Sequence, residues 1–296
     1  MTLLLALIAL AAYFAMPDDW RRLLSQPGQS WLRLMESLPA ALPAPVRLAL
    51  VIVLPMLVLL VLIQGLREVG LSLLVFLPAA IVLVIVFSDV SLPRALERFA
   101  MMWQRQYAAS EEDGDKCDIE HLSTSVIDDQ HDWVTDEVTL DAELHQARTF
   151  LLRESLHELF SPLFWFLLAG PVAALGYYLL RLMVGHAREE ARQIALSWLH
   201  IADWIPTRLL SISFALAGNF TATWAVIREQ LLKSDANGHE LIDVAAQAAE
   251  PEGLDDDIES AHLNLTASLT RVQALIQRSL IVWMVFLALK TLWPGF

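Results

Sequence analysis

The chain has 296 residues, 56% of them hydrophobic, a mean hydropathy of +0.50 and a formal net charge of −14. Ordinary soluble domains are about 45–50% apolar by this kind of count, so the excess excludes a typical soluble core and points to membrane spans. An acidic balance without clustered Lys and Arg excludes direct nucleic-acid binding.

The apolar excess comes in blocks. Residues 1–17 carry no Lys or Arg ahead of an apolar run, unlike a secretory signal, and read as an uncleaved span or embedded segment. Arg21, Arg22, Arg33 and Arg47 follow in a loop broken by Pro39, Pro43 and Pro45, with Trp20 and Trp31 suited to a membrane–water interface. Residues 48–66 and 69–88 hold no charge, and only Arg67 and Glu68 separate them. A helix of about 20 apolar residues rises roughly 30 Å, the thickness of a bilayer core, so the pair reads as two spans in an antiparallel hairpin. Pro55 and Pro78 inside them read as kinks. Arginines on both flanks of the hairpin place residues 18–47 and 89–105 in the cytoplasm, and the first acidic segment with them.

The polar segments, 89–158 and 228–278, hold most of the acid. Residues 109–145 contain 13 of the 34 acidic side chains and one Lys; residues 229–259 contain ten more and one Lys. Both read as solvated surface. Cys117 is the one cysteine and reads as an exposed thiol, with no metal pattern around it. Within 118–134 there is room for short strands only. From Thr135, Leu140, Leu144, Ala147, Leu151, Leu152, Leu156 and Leu159 recur at three- and four-residue steps, an amphipathic helix.

Residues 159–181 form the next apolar stretch, with Ser161-Pro162 resembling an N-cap and first-turn proline and Gly170-Pro171 at its middle. Residues 182–203 read as a polar helix. The 209–227 stretch is uncharged but rich in serine and threonine, as expected of a span or of helix contacts in lipid. Residues 228–254 read as loop. Asp255–Asp257 then open an amphipathic helix with Ile258, Leu265, Leu269, Val272 and Ile276 on its stripe and Arg271 and Arg278 at its end. Residues 279–293 read as a last span. The expected fold is all-α: one polytopic helical membrane domain over residues 1–296.

The sequence carries no phosphate-loop, GxSxG or HExxH pattern, so no catalytic residue, cofactor or metal is assigned. The densest polar constellation is His200, Asp203, Trp204 and Arg208, beside Pro206. An acid and an arginine next to an embedded stretch are costly unless paired or wet. Two readings follow: an Asp203–Arg208 pair that anchors a helix, or an Arg208 that recognises an anionic small ligand through its planar fork. Glu154, His157 and Glu158 place carboxylates and an imidazole close together; Glu154, His157 and Arg181 are candidate polar support, and a solvated helix face is the plainer reading. His121 and His131 carry a similar weak metal signal.

Two stretches, SPLFWFLLAGPVAALGYYLLRLMVG (161–185) and LHIADWIPTRLLSISFALAG (199–218), resemble the AmpE family of bacterial inner-membrane proteins. The resemblance implies a regulatory or sensory role linked to β-lactamase induction and envelope stress, in a multi-pass protein whose partners are the bilayer and an anionic ligand or a second membrane protein. The family is in turn similar to adenosylcobinamide-phosphate synthase, a membrane enzyme of cobamide biosynthesis. This chain departs from the synthase pattern at Arg153, Glu154 and His157, at Tyr178 and Arg181, and at Leu199 and His200, while Trp204, Pro206, Arg208 and Leu209 match. The resemblance therefore implies a shared membrane fold without the cobamide activity; a membrane enzyme and a non-catalytic scaffold are the alternatives.

Overall fold

The computed structural model describes residues 43–68, 75–88, 140–186, 189–233, 238–250 and 261–292, with Gly28, Ser30 and Trp31. The readings made on residues 1–17, 69–74, 89–139 and 251–260, including Cys117, His121, His131 and Ile258, lie outside them. Among the described residues every regular element is helical.

Helix α1 (Ala44–Glu68) and helix α2 (Phe76–Ser88) are the apolar pair expected from composition. They do not form a two-helix hairpin by themselves. Each packs chiefly on α5 (Pro171–His186). The physical reason is Gly176, where an added Cβ would meet Met56 Sδ at 2.7 Å: the missing side chain lets α1 seat on α5. Pro55 lacks the N–H that would bond the Val51 carbonyl, and Trp31 supplies one instead, its indole Nε1 donating to Val51 O at 3.1 Å.

The amphipathic stripe expected from Thr135 is α3 (Leu140–Ser155), and Ala147, Leu151, Leu152, Leu156 and Leu159 are buried along it. It runs into a π-helical turn, Leu156–Phe160, where the Ser161 N–H bonds Leu156 O five residues back. Pro162 has no N–H to continue the ordinary ladder, and a π turn is how the chain absorbs the change.

The stretch read as one span at 159–181 is two helices. Helix α4 (Ser161–Ala169) ends at Gly170, whose φ of 79° is open to glycine, and α5 starts at Pro171. The two pack on each other. Pro171 leaves the Leu167 carbonyl without its helical partner, and Lys290 Nζ donates to it at 2.8 Å. Nine residues rise about 14 Å, less than half a bilayer core.

Helix α6 (Glu189–Ala217) passes unbroken through Pro206. The 209–227 stretch is divided at Gly218, where an added Cβ would meet Ala249 O at 2.6 Å, and helix α7 (Phe220–Ile227) restarts with the Asn219 side chain accepting from Ala222 N. The segment read as loop contains α8 (Gly238–Ala249), which buries Leu241, Ile242, Ala245, Ala246 and Ala249 against α6 and α3. Its three- and four-residue spacing was present in the sequence, hidden by the acids around it. The two elements expected after 255 are one helix, α9 (Ala261–Leu292), with Leu269, Val272 and Ile276 buried. Arg278 pairs with Glu250 and donates to Ala217 O, tying α9 to the ends of α6 and α8.

Two cores result. One joins α1, α5 and the first half of α6, through residues such as Leu48, Tyr177 and Leu199. The other joins α3, α4, α8, α9 and the second half of α6, through Phe160, Leu210 and Phe214. At its centre Trp283 Nε1 donates to Ser213 Oγ at 2.8 Å, and the Trp283 ring meets Phe160 edge-on. Helix α6 crosses between the two cores, and Asp203 lies in the interval.

Candidate functional site

Three elements converge where α6 changes core. The π turn brings His157 and Glu158, α5 brings Tyr177 and Arg181, and α6 brings Asp203. Asp203 is buried and accepts from Ser161 Oγ at 2.6 Å and from Tyr177 OH at 2.8 Å, both on Oδ1. Its other oxygen faces His157 Nδ1 at 3.2 Å, and the same nitrogen lies 3.0 Å from the Tyr177 oxygen. Ser161 therefore does not cap α4. The chain enters α4 already helical, with Phe160 at φ −75°, so no free N–H awaits a cap there and the hydroxyl serves Asp203 instead.

A second set adjoins the first. Arg181 NH2 donates to Glu154 at 2.7 Å and to Glu158 at 3.2 Å; the Glu158 side chain is 1% exposed. One helical turn separates Tyr177 from Arg181 on α5, and one turn separates Glu154 from Glu158 across the start of the π segment, so both sets share one seam. From α8, the His239 ring meets that of His157 edge-on at 5.6 Å. Burial first, and then the neighbouring His157, hold His239 down to about 4, so its ring is neutral at physiological pH. Burial also pushes the Asp243 carboxyl on α8 upward.

The expected constellation on α6 divides in two. Asp203 and Arg208 are not paired. Five helical residues turn a side chain through about 140°, so the two point to different faces. Arg208 donates from Nε to Leu231 O at 2.6 Å, from NH2 to Lys233 O at 2.6 Å and from NH1 to Trp204 O at 2.9 Å. Its guanidinium lies over the Trp204 ring, 3.9 Å from the centroid. It thus closes the turn after α7, and an anion there would compete with three carbonyls. His200 is exposed on α6. Glu154, His157 and Arg181 do come together at the seam. Tyr177, Ser161 and His239 join them without having been expected: Tyr177 sat in a run read as an apolar stretch, Ser161 read as a cap, and His239 lay in a supposed loop. Among the described residues no group of three or more His, Cys, Asp or Glu is placed to hold a metal ion.

The chemistry of the seam is proton-bearing and hydrogen-bonding. It offers a buried carboxylate with three neutral or titratable partners, and an arginine balanced by two carboxylates. Around it the helices present apolar side chains outward. Two helical segments, Pro45–Glu68 and Leu269–Lys290, are long and apolar enough to cross a membrane, and only 28% and 39% of their apolar windows are buried.

Fold and seam together define an all-helical protein with outward apolar faces and a buried polar junction. The family model for "Regulatory signalling modulator protein AmpE" matches residues 1–293, and the chain belongs to the AmpE family. No curated protein and no solved structure matches it.

Proposed function

We propose that this protein is a multi-pass sensor of the bacterial inner membrane that modulates β-lactamase induction or envelope-stress signalling. Its signal enters at the Asp203 seam. One observation carries the reading: a buried carboxylate held by Ser161, Tyr177 and His157 between helices that expose their apolar sides. Ionisable groups are expensive in such surroundings and are kept where they bind or relay something. Membrane residence is supported by α1, whose Val58 and Val61 are 63% and 66% exposed; a core helix of a soluble protein would bury them.

The mechanism is a population shift. A small ligand or a partner membrane protein that favours one arrangement of π turn, α5 and α6 shifts the protein toward it, by as much as its affinities for the two arrangements differ. The acidic segments attached to α3 and α8 then carry the change outward. The test is deletion in a host with an inducible β-lactamase. Altered induction is expected; unchanged induction removes the main support.

The cobamide-type enzyme is a second reading, favoured by the His157–Asp203 contact, which has the form of an acid–base dyad. It is the weaker one, because the arginine it would assign to phosphate, Arg208, is spent on three carbonyls. Failure to rescue a synthase deletion, by protein inserted at normal abundance, is the expected result.

A further inference from the structure

Helix α4 is set off from the chain on both sides. Before it, the π turn Leu156–Phe160 replaces the ordinary ladder, and the Ser161 N–H reaches back five residues to Leu156 O. After it, Gly170 takes φ 79°, a conformation that favours glycine, and an added Cβ there would meet nothing within 4 Å. This glycine therefore serves the bend and not a close approach. Pro171 then withholds the N–H that would have bonded Leu167 O. Between the two joints lie nine helical residues, a rod of about 14 Å.

Both ends of the rod are held from other helices. At its start, Ser161 Oγ donates to Asp203 Oδ1 on α6 at 2.6 Å, and the Phe160 ring meets Trp283 of α9 edge-on with centroids 5.4 Å apart. At its end, Lys290 Nζ of α9 donates to Leu167 O at 2.8 Å. Phe160 and Leu167 are seven residues apart, and so are Trp283 and Lys290. Seven helical residues rise about 10.5 Å, so the two contacts set α4 beside the end of α9, running the same way. The Lys290 ammonium lies at the C-terminal end of α4, where the helix dipole favours a cation, and it supplies the donor that Pro171 withholds.

We propose that α4 is a rigid coupling rod, and that Lys290 is the positioning residue that sets how firmly Ser161 holds Asp203. A displacement of α9 passes along α4 to the seam, because the rod turns at its two joints before it bends within its ladder. This rests on the regulatory reading of the same seam and deepens it, by naming the element through which α9 acts on Asp203.

The test is amide hydrogen exchange of the full-length protein in lipid nanodiscs, read along α4 from Leu163 to Gly170. Lys290→Met keeps an apolar stem and loses the donor. Exchange about tenfold faster, the equivalent of one lost hydrogen bond to a charged group, is expected at Gly170 beside the lost contact. The same acceleration is expected at Leu163 and Phe164, beside Ser161 at the far end. Ser161→Ala approaches from the other side and should speed exchange at Gly170; it serves where Lys290→Met does not fold. Lys290→Arg retains a cationic donor and should leave both ends at the wild-type rate. Amides of α1 from Leu57 to Val61 should be unchanged in every variant. Acceleration confined to the substituted end, acceleration that extends to α1, or Lys290→Arg exchanging like Lys290→Met overturns the proposal. None of these readouts involves β-lactamase. Two-ended loosening in a protein whose deletion leaves induction unchanged refutes the regulatory reading alone, and one-ended loosening with altered induction refutes the rod alone.

Discussion

The outer face of α1 and the seam around Asp203 both lie on helices of one bundle, yet they solve opposite problems. Along α1, Leu57, Val58, Val61 and Leu62 are exposed, and nothing ionisable interrupts them between Leu48 and Leu66. At the seam, Asp203, Glu158 and Ser161 are buried, and each has specific partners. The first arrangement is favourable only where the solvent is apolar. The second costs free energy wherever it is placed and is sustained by complete pairing. An apolar-rich helical chain therefore holds two kinds of surface, an exposed apolar face and a buried seam that concentrates polar chemistry.

Substitutions can break this contrast, and the largest effect is expected inside the seam. Arg181→Ala leaves Glu158 buried without its cation and should cost about 3–5 kcal/mol, read by denaturant unfolding in detergent. A cost below 1 kcal/mol would mean that the seam is wet and its pairing unimportant. Next comes Val58→Asp on α1. At an exposed site in water this changes stability by about 0.5 kcal/mol or less, whereas at the centre of a spanning helix it costs about 2.5–3.5 kcal/mol of insertion free energy. Carbonate extraction of membranes distinguishes the two, and wild-type retention of the variant would contradict a lipid-facing α1. The smallest effect concerns Trp31→Phe, which should cost about 0.5–1.5 kcal/mol because Val51 O loses its donor. Pro55→Ala restores an N–H to that carbonyl, so in its presence the Trp31→Phe cost should shrink in thermal unfolding.

How much was legible in the sequence follows the same division. Patterns carried along one helix were readable: the stripe from Ala147 to Leu159 and the apolar runs of α1 and α2. Two kinds of feature were not. One is the division of an apolar run by tertiary contact, as at Gly218, whose lack of a side chain matters only because Ala249 O arrives there from α8. The other is the site itself. Ser161 and Asp203 are 42 residues apart, and Tyr177 and Asp203 are 26 apart. Local spacing instead favoured Asp203 with Arg208, which share a helix but not a face. Glu154, His157 and Arg181 were legible only as candidate polar support, with a solvated helix face as the plainer reading of the first two, and nothing in their spacing said which partners they would meet. A π turn, which rotates His157 and Glu158 into place, has no spacing signature of its own.

In the proposed function Asp203 is the working group of the seam and Arg208 a structural one. The direct measurement is β-lactamase induction in cells carrying Asp203→Asn, at membrane abundance matched to wild type and with the unfolding transition of the purified protein retained. Induction displaced toward that of the deletion strain is the predicted result. Wild-type induction by a folded, correctly inserted Asp203→Asn protein would contradict it.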